Sequence, residues 1–493
     1  MDRYHHPDGR TCRRHTQRLR RRPVVARARL CAVAALAMAL ALLGPVLVPA
    51  VARAQADADS TAAAPAIPRQ LVLDGVELVG ATRTKLETVY RFLPLRPGQV
   101  IDQAALVAGV DALRAGGLFR SVAFYTRPGG ERGRLVLVLE VVEHRLDFRW
   151  AAGNTNLDGW YLVPAMVAAD NAFGDGGNLD LRWRLGLRHS AAALRYDRPR
   201  VGNERTYWSL EAAAASTERP YFADGVEFRH RVDASGFTFT RGRHLDARRL
   251  AEFSLEASTI DVARHSVAYS RSQDGSIDFD QEITGEDLPT SINEAVGRRK
   301  RVAAHLDWQV DSRAEGRRAG TPTGGLWGRA KGGLVVREGR TGHADLQLDL
   351  RAYRDTPVGA LATRVRAAWV GEAADFTDRL YLGGMYSLRG FASGALSPPG
   401  GDTWQWSGSV ELRNDILTDT RGTKLAGLFF VDAGAGGAGD GDDPYTGTAV
   451  SVGYGLRMRV RWLDWIGVDV GFPLTERPLD TRFQGHASIG WSF

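Results

Sequence analysis

Cysteine is nearly absent: the 493 residues hold two, Cys12 and Cys31, too few for a disulfide scaffold. Patterns that carry chemistry are missing as well. There is no G-x-S-x-G elbow, no metal-ligand spacing of His or Cys, and no glycine-rich phosphate loop opening a helix. The eleven His are scattered, several of them near the N-terminus. These gaps leave no catalytic residue, no metal site and no cofactor to name, so the chain is expected not to be an enzyme. A mean hydropathy of −0.24 argues against a polytopic helical membrane protein, which needs several spans of about 20 apolar residues. The hydrophobic content of 44% excludes disorder, and the length suggests two or three domains at roughly 100–200 residues each.

A net charge of +7 points to nucleic acid only if the charge lies in a folded domain. It does not. Residues 1–29 hold ten Arg against Asp2 and Asp8, and an apolar run from Leu30 to Val51 follows, closing on Ala52-Arg53-Ala54. Basic, apolar, then small-x-small is the layout of a secretory signal peptide over 1–54. The apolar run is also long enough for an uncleaved anchor helix, but Pro45, Pro49 and the A-R-A site favour cleavage. Residues 1–54 carry +9, which leaves −2 on the other 439, and no nucleic-acid partner is expected. Both cysteines belong to this leader. Residues 55–69, rich in Ala, Asp and Ser with two Pro, read as a linker.

From 70 to 145 the periodicity is mixed. Leu71, Leu73, Val76 and Leu78 suggest a strand ending at Gly80. Leu86, Val89, Phe92 and Leu93 share one helical face. After the Pro97-Gly98 turn, Asp102 stands as an N-cap before the stripe Leu106, Val110 and Leu113, which Gly116-Gly117 stops. Strands follow around 122–125 and 135–142, giving the order β-α-α-β-β. Gly80, Pro97-Gly98, Gly117-Leu118-Phe119 and Val141-Val142-Glu143 together resemble a POTRA domain, with a generic α+β unit of the same topology as the alternative. The resemblance implies a periplasmic module that binds client chains along a strand edge, and the short strand at 121–125 is the candidate edge.

After 146 the helical period vanishes. Leu179 to Leu187, Val302 to Val310, Ala344 to Ala352 and Val452 to Val460 alternate apolar with polar or charged residues. That pattern fits a soluble sandwich or a membrane barrel. Segments of ten or more residues, Trp and Tyr near their ends, and a polar face carrying charges of both signs favour a barrel. Residues 146–493 allow about 16 strands at roughly 20 residues per strand with its turn. The polar stretch Arg264 to Lys300 reads as a long extracellular loop. The fold class is therefore mainly β, a C-terminal transmembrane antiparallel barrel behind a small α+β domain.

The hairpin loop 171–177, Asn-Ala-Phe-Gly-Asp-Gly-Gly, is ordinary turn chemistry. It also resembles the first hairpin of BamA/TamA-superfamily barrels. A stronger signal is Phe376…Arg379-Leu-Tyr-Leu-Gly383-Gly384-Met-Tyr-Ser-Leu388-Arg389-Gly390-Phe391, followed by a Gly/Pro-rich loop to Gly401. It resembles that superfamily's inward-folded loop between the eleventh and twelfth of sixteen strands. Five strands are expected after it, at 404–413, 424–434, 450–462, 465–472 and 484–493. In the first, Trp404, Trp406, Val410 and Leu412 share one face and Gln405, Ser407, Ser409, Glu411 and Arg413 the other, so that with the apolar face on lipid Glu411 points into the lumen. Asp432 shares parity with Lys424, but also with Leu428 and Phe430, so its direction is less clean. A loop Arg near two carboxylates forms charge-assisted hydrogen bonds. The resemblance implies that Arg389 contacts Glu411 and the Asp of Asp432-Ala433-Gly434, locking the loop inside; the bland alternative is one lumen charge among many. Ile489, Trp491 and Phe493 share a face at the terminus and resemble the signal by which outer-membrane barrels are recognised for assembly.

The resemblance implies an assembly or translocation factor in the outer membrane of a Gram-negative cell. Its partners would be outer-membrane lipid, unfolded client polypeptides in the periplasm, and an accessory periplasmic or translocation protein. A passive channel or structural barrel is the alternative from another class. A two-partner-secretion transporter is a further one, although such proteins usually carry two POTRA domains and a plug helix, and here one domain and a 15-residue linker are read.

Overall fold

A computed structural model describes residues 71–155, 159–201, 204–223, 225–271, 277–278, 282–420, 422–438, 447–460, 464–475 and 482–493. The leader 1–54, with both cysteines, and the linker 55–69 lie outside the described residues.

The first unit runs β1 Leu71–Val79, α1 Leu86–Phe92, β2 Val100–Ile101, α2 Gln103–Ala115, β3 Ser121–Pro128 and β4 Arg134–Val142. Its sheet order is β2-β1-β4-β3, with β1 and β4 parallel. The apolar stripes explain the packing: Val89, Phe92, Leu106, Val110 and Leu113 from the helices meet Leu73, Leu137 and Leu139 from the sheet in one core. Asp102 caps α2, its Oδ1 accepting from the Ala105 N–H at 2.7 Å. β3 lies at the sheet edge, eight residues long rather than the five read from sequence. The two-residue β2, on the opposite edge, is too short to carry a period.

Just past β4, Glu143 ties the unit together. Its Oε1 accepts from the Thr84 N–H at 2.8 Å, the Thr84 hydroxyl at 2.7 Å and the Arg83 N–H at 3.0 Å. Its Oε2 accepts from the Thr82 hydroxyl at 2.6 Å.

Sixteen long antiparallel strands among the described residues form the barrel. They are β5 Asp147–Thr155, β6 Gly159–Ala169, β7 Asn178–Gly186, β8 His189–Arg198, β9 Thr206–Ala223, β10 Val226–His244, β11 Arg249–Arg271 and β12 Gly297–Asp311. Then come β13 Gly324–Arg337, β14 His343–Thr356, β15 Gly359–Val370, β16 Trp404–Asp419, β17 Gly422–Gly437, β18 Ala449–Val460, β19 Asp464–Pro473 and β20 Gln484–Ile489. Each pairs with its sequence neighbour, and β20 closes the sheet against β5. The alternation decides which face is which. Phe237, Leu255, Leu306, Leu346, Leu350 and Phe429 stand exposed on the outside. Inside, charges pair across strands, as in Arg301 with Glu256 at 2.7 Å and Arg364 with Asp349 at 2.6 Å. A lumen of paired charges inside an apolar wall is the arrangement of a membrane barrel, not of a sandwich.

Two sequence readings need correction. Residues 264–300 are not one long loop: β11 continues to Arg271, short strands occupy 277–278 and 282–284, and a helical turn spans Thr290–Asn293. Ile292 there is fully buried against Phe376 and Tyr381, so the helical turn packs rather than protrudes. The last strand ends at Ile489 instead of 493, because Gly490 takes a φ of +80° that breaks the extended path.

Candidate functional site: an inward loop and its lock

Residues 371–403, between β15 and β16, fold back into the barrel, burying Phe376, Leu382, Leu388, Phe391 and Leu396. The wall grips the loop at two places, with opposite polarity. At its root the loop supplies anions: Arg337 of β13 donates to Asp375, to Thr377 Oγ1 at 2.7 Å and to Asp378 Oδ2 at 2.7 Å. Arg301 of β12 donates to Asp378 Oδ1 at 3.2 Å, and Arg219 of β9 to the Thr377 carbonyl at 2.8 Å.

At its tip the loop supplies the cation. Gly383 and Gly384, at φ +113° and +95°, let the chain turn tightly, and the Leu388 N–H donates back to the Gly384 carbonyl at 3.0 Å. Arg389 follows, 1% exposed. Its Nε and Nη2 both reach Asp432 at 2.8 Å, a bidentate pair, and its own N–H donates to Asp432 Oδ2 at 3.1 Å. Nη1 lies 2.7 Å from Glu411 Oε1 and 3.2 Å from Asp469 Oδ2, and Nη2 donates to Ser409 Oγ at 2.9 Å. The guanidinium sits 3.6 Å from the Phe430 ring centroid. This explains why Phe430 shares the parity of Asp432: it faces inward as the floor under a cation.

Glycine is required where loop and wall touch. Gly390, at φ +94°, lies against Gly471 of β19, where an added Cβ would stand 2.4 Å from the Gly390 nitrogen. Leu388 takes the space beside Gly434, where a Cβ would come within 2.9 Å of its side chain. Phe391 packs in the cluster with Leu382, Leu388 and Leu396.

The structure thus brings together Arg389, Glu411 and Asp432, and sets the other loop residues around them. It adds members that sequence reasoning did not single out. Asp469 and Arg457 form a fully buried pair at 2.5 Å. Arg413 binds Glu411 Oε2 through Nε and Nη2, both at 2.7 Å. Asp469 was within reach of the parity argument, since exposed Val468 beside it faces outward. Three guanidiniums and three carboxylates, each at most 2% exposed, form a neutral cluster. Ile489, Trp491 and Phe493 do not share one strand face. Past Gly490 the chain leaves the strand, and the Trp491 and Phe493 rings stack on Arg413 at 4.4 and 4.8 Å.

The chain also matches known proteins. The Omp85 superfamily domain model matches residues 171–493. No curated protein matches in sequence. Among solved structures, the chain is similar in fold to BamA from Haemophilus ducreyi lacking POTRA domains 1–3. Identity is 16% and the TM-score 0.68, over 85% of this chain and 84% of that one. CdiB from Acinetobacter baumannii gives 13% identity and a TM-score of 0.48, over 85% and 74%.

Proposed function

The chain belongs to the Omp85 superfamily of outer-membrane β-barrels, and from that premise we propose that it inserts polypeptides into the outer membrane or moves them across it. The observation that carries this reading is the lumen-filling loop fastened through Arg389 to Asp432, Glu411 and Asp469. A plug held by a buried cluster lowers the conductance of a passive pore, whereas it suits a barrel whose lumen opens only when a client engages it. The α+β unit, POTRA-like in its element order, lies on the periplasmic side and collects clients. Its edge strand β3 offers unpaired main-chain groups to which an extended client adds as a further strand. Ile489, Trp491 and Phe493 act earlier, as an assembly signal read while the terminal segment is still extended.

Depletion of the protein, followed by comparison of the outer-membrane and secreted proteomes, tests the reading. Loss of a defined set of proteins from either fraction is expected, and Arg389→Ala fails to restore them. Unchanged proteomes with altered small-solute permeability would establish the passive channel instead. Deletion of Phe493 is expected to lower the amount of barrel in the membrane, and normal levels would remove the assembly-signal role.

A further inference from the structure

The residues after Gly490 turn into the lumen and meet the lock. Ser492 Oγ donates to Glu411 Oε1 at 2.5 Å, the same oxygen that lies 2.7 Å from Arg389 Nη1. Arg413, with both Nε and Nη2 on the other oxygen of Glu411, reaches two further segments. Nη2 donates to the main-chain oxygen of Phe493 at 3.2 Å, and Nη1 to Thr321 Oγ1 at 2.9 Å. Thr321 belongs to a turn between β12 and β13 whose Ala319 is fully buried at a φ of +48°, a backbone region a non-glycine residue adopts only when its surroundings enforce it. The Ala319 N–H donates to Asp415 Oδ1 at 2.9 Å, and the neighbouring Trp465 and Trp491 rings lie 5.7 Å apart.

We propose that Arg413 is a positioning residue that couples the inward loop to the end of the last strand, and so to the β20–β5 seam. It acts through Glu411, whose two oxygens are shared between the loop cation, the terminal segment and Arg413 itself. Loosening either side removes a donor from one buried carboxylate, and that loss is felt by the other side. Coupling of this kind is reciprocal. The inference rests on the reading of Arg389 as the lock.

The test uses the full chain folded in detergent micelles, with Cys12 and Cys31 replaced by serine. Two buried reporters are introduced separately, Ala395→Cys on the loop and Ser488→Cys on β20, and maleimide labelling rates are measured. Arg413→Ala is expected to raise the rate at both reporters by roughly tenfold. Arg389→Ala does the same, and the double variant labels no faster than the faster single one. If Arg413→Ala exposes Ser488→Cys alone, or if the two effects multiply as for independent sites, the coupling is refuted. If Arg389→Ala leaves Ala395→Cys protected, the lock reading itself falls. Should Arg413→Ala lack the heat-modifiable band of a folded barrel, Arg413→Gln, which keeps side-chain donors without the charge, carries the same comparison.

Discussion

At the scale of single residues, the lock concentrates its energy on Asp432. Remove Arg389 and Glu411 keeps Arg413, while Asp469 keeps Arg457. Among the described residues Asp432 has no second cation and is left with the Ser409 hydroxyl and the residue 389 N–H. Breaking a buried pair on one side costs on the order of 3–5 kcal/mol. Arg389→Ala should therefore lower the midpoint of the heat-modifiable gel shift, and adding Asp432→Asn should recover part of the loss. Arg389→Lys should behave nearly as badly, because a point charge replaces neither the bidentate pair nor the reach to Glu411 and Asp469. Gly471→Ala tests fit without charge: its Cβ meets the loop backbone, so faster trypsin cleavage within 379–395 is expected with the carboxylates intact. Glu411 was legible because motif and strand parity agree on it, whereas Arg389 and Asp432 were legible from the motif, parity leaving Asp432 undecided beside Leu428 and Phe430. Arg413 shares the inward parity of Glu411, but its partners at 321 and 493 lie 92 and 80 positions away, beyond any local period.

At the scale of elements, alternation located most barrel strands, and it failed where a strand ends for tertiary reasons. Residues 489, 491 and 493 keep the period of two, yet the terminal segment leaves the strand at Gly490, and beyond it Ser492 and Phe493 meet Glu411 and Arg413. The stretch from 264 to 300 misled in the opposite sense, since its polar composition hides the buried Ile292. In the α+β unit, Glu143 was visible as a closing residue but its work was not. Burial pushes the Glu143 carboxyl up, yet hydrogen bonds from Thr82, Thr84 and the main chain of 83–84 outweigh it and hold it well below its ordinary value of 4.5. A depressed folded-state pKa means stability fully present above that ordinary value and lost as pH falls below it. Hydrogen-exchange protection of residues 71–143, corrected for the intrinsic exchange rate at each pH, should accordingly fall with pH in the acid range. In Glu143→Gln it should start lower at neutral pH and show a shallower acid dependence; an unchanged acid slope would refute the assignment.

At the scale of the whole molecule, the α+β unit is built into the barrel rim rather than hung from it. Val201, between β8 and β9, belongs to the unit's own core, and the hairpin 171–177 between β6 and β7 is the second support. There the Asn171 amide donates to Thr84 Oγ1 at 2.7 Å, and the Thr88 hydroxyl to the Gly174 carbonyl at 2.7 Å. Arg91 of α1 joins both rim segments: Nε and Nη2 reach Glu204 at 2.8 and 2.9 Å, and Nη1 donates to the Asp175 carbonyl at 2.7 Å. The glycines of 171–177 read in sequence as turn chemistry and as a resemblance to a superfamily hairpin, with no partner assigned to them. Gly174 shows more, because any Cβ there would strike the Arg83 carbonyl, so the hairpin is shaped for its neighbour as well as for its own turn. A charge-assisted hydrogen bond contributes about 1.5–3 kcal/mol, and Arg91 makes several in a partly desolvated crevice. Arg91→Ala should free the unit from the rim without touching the strands. Protease cleavage at residues 143–147 is expected to accelerate by roughly tenfold, about 1.4 kcal/mol at the rim, while the barrel's heat-modifiable midpoint stays at the wild-type value. A midpoint that fell together with cleavage resistance would mean that unit and barrel unfold as one, and the rim would then be a fold contact rather than a joint.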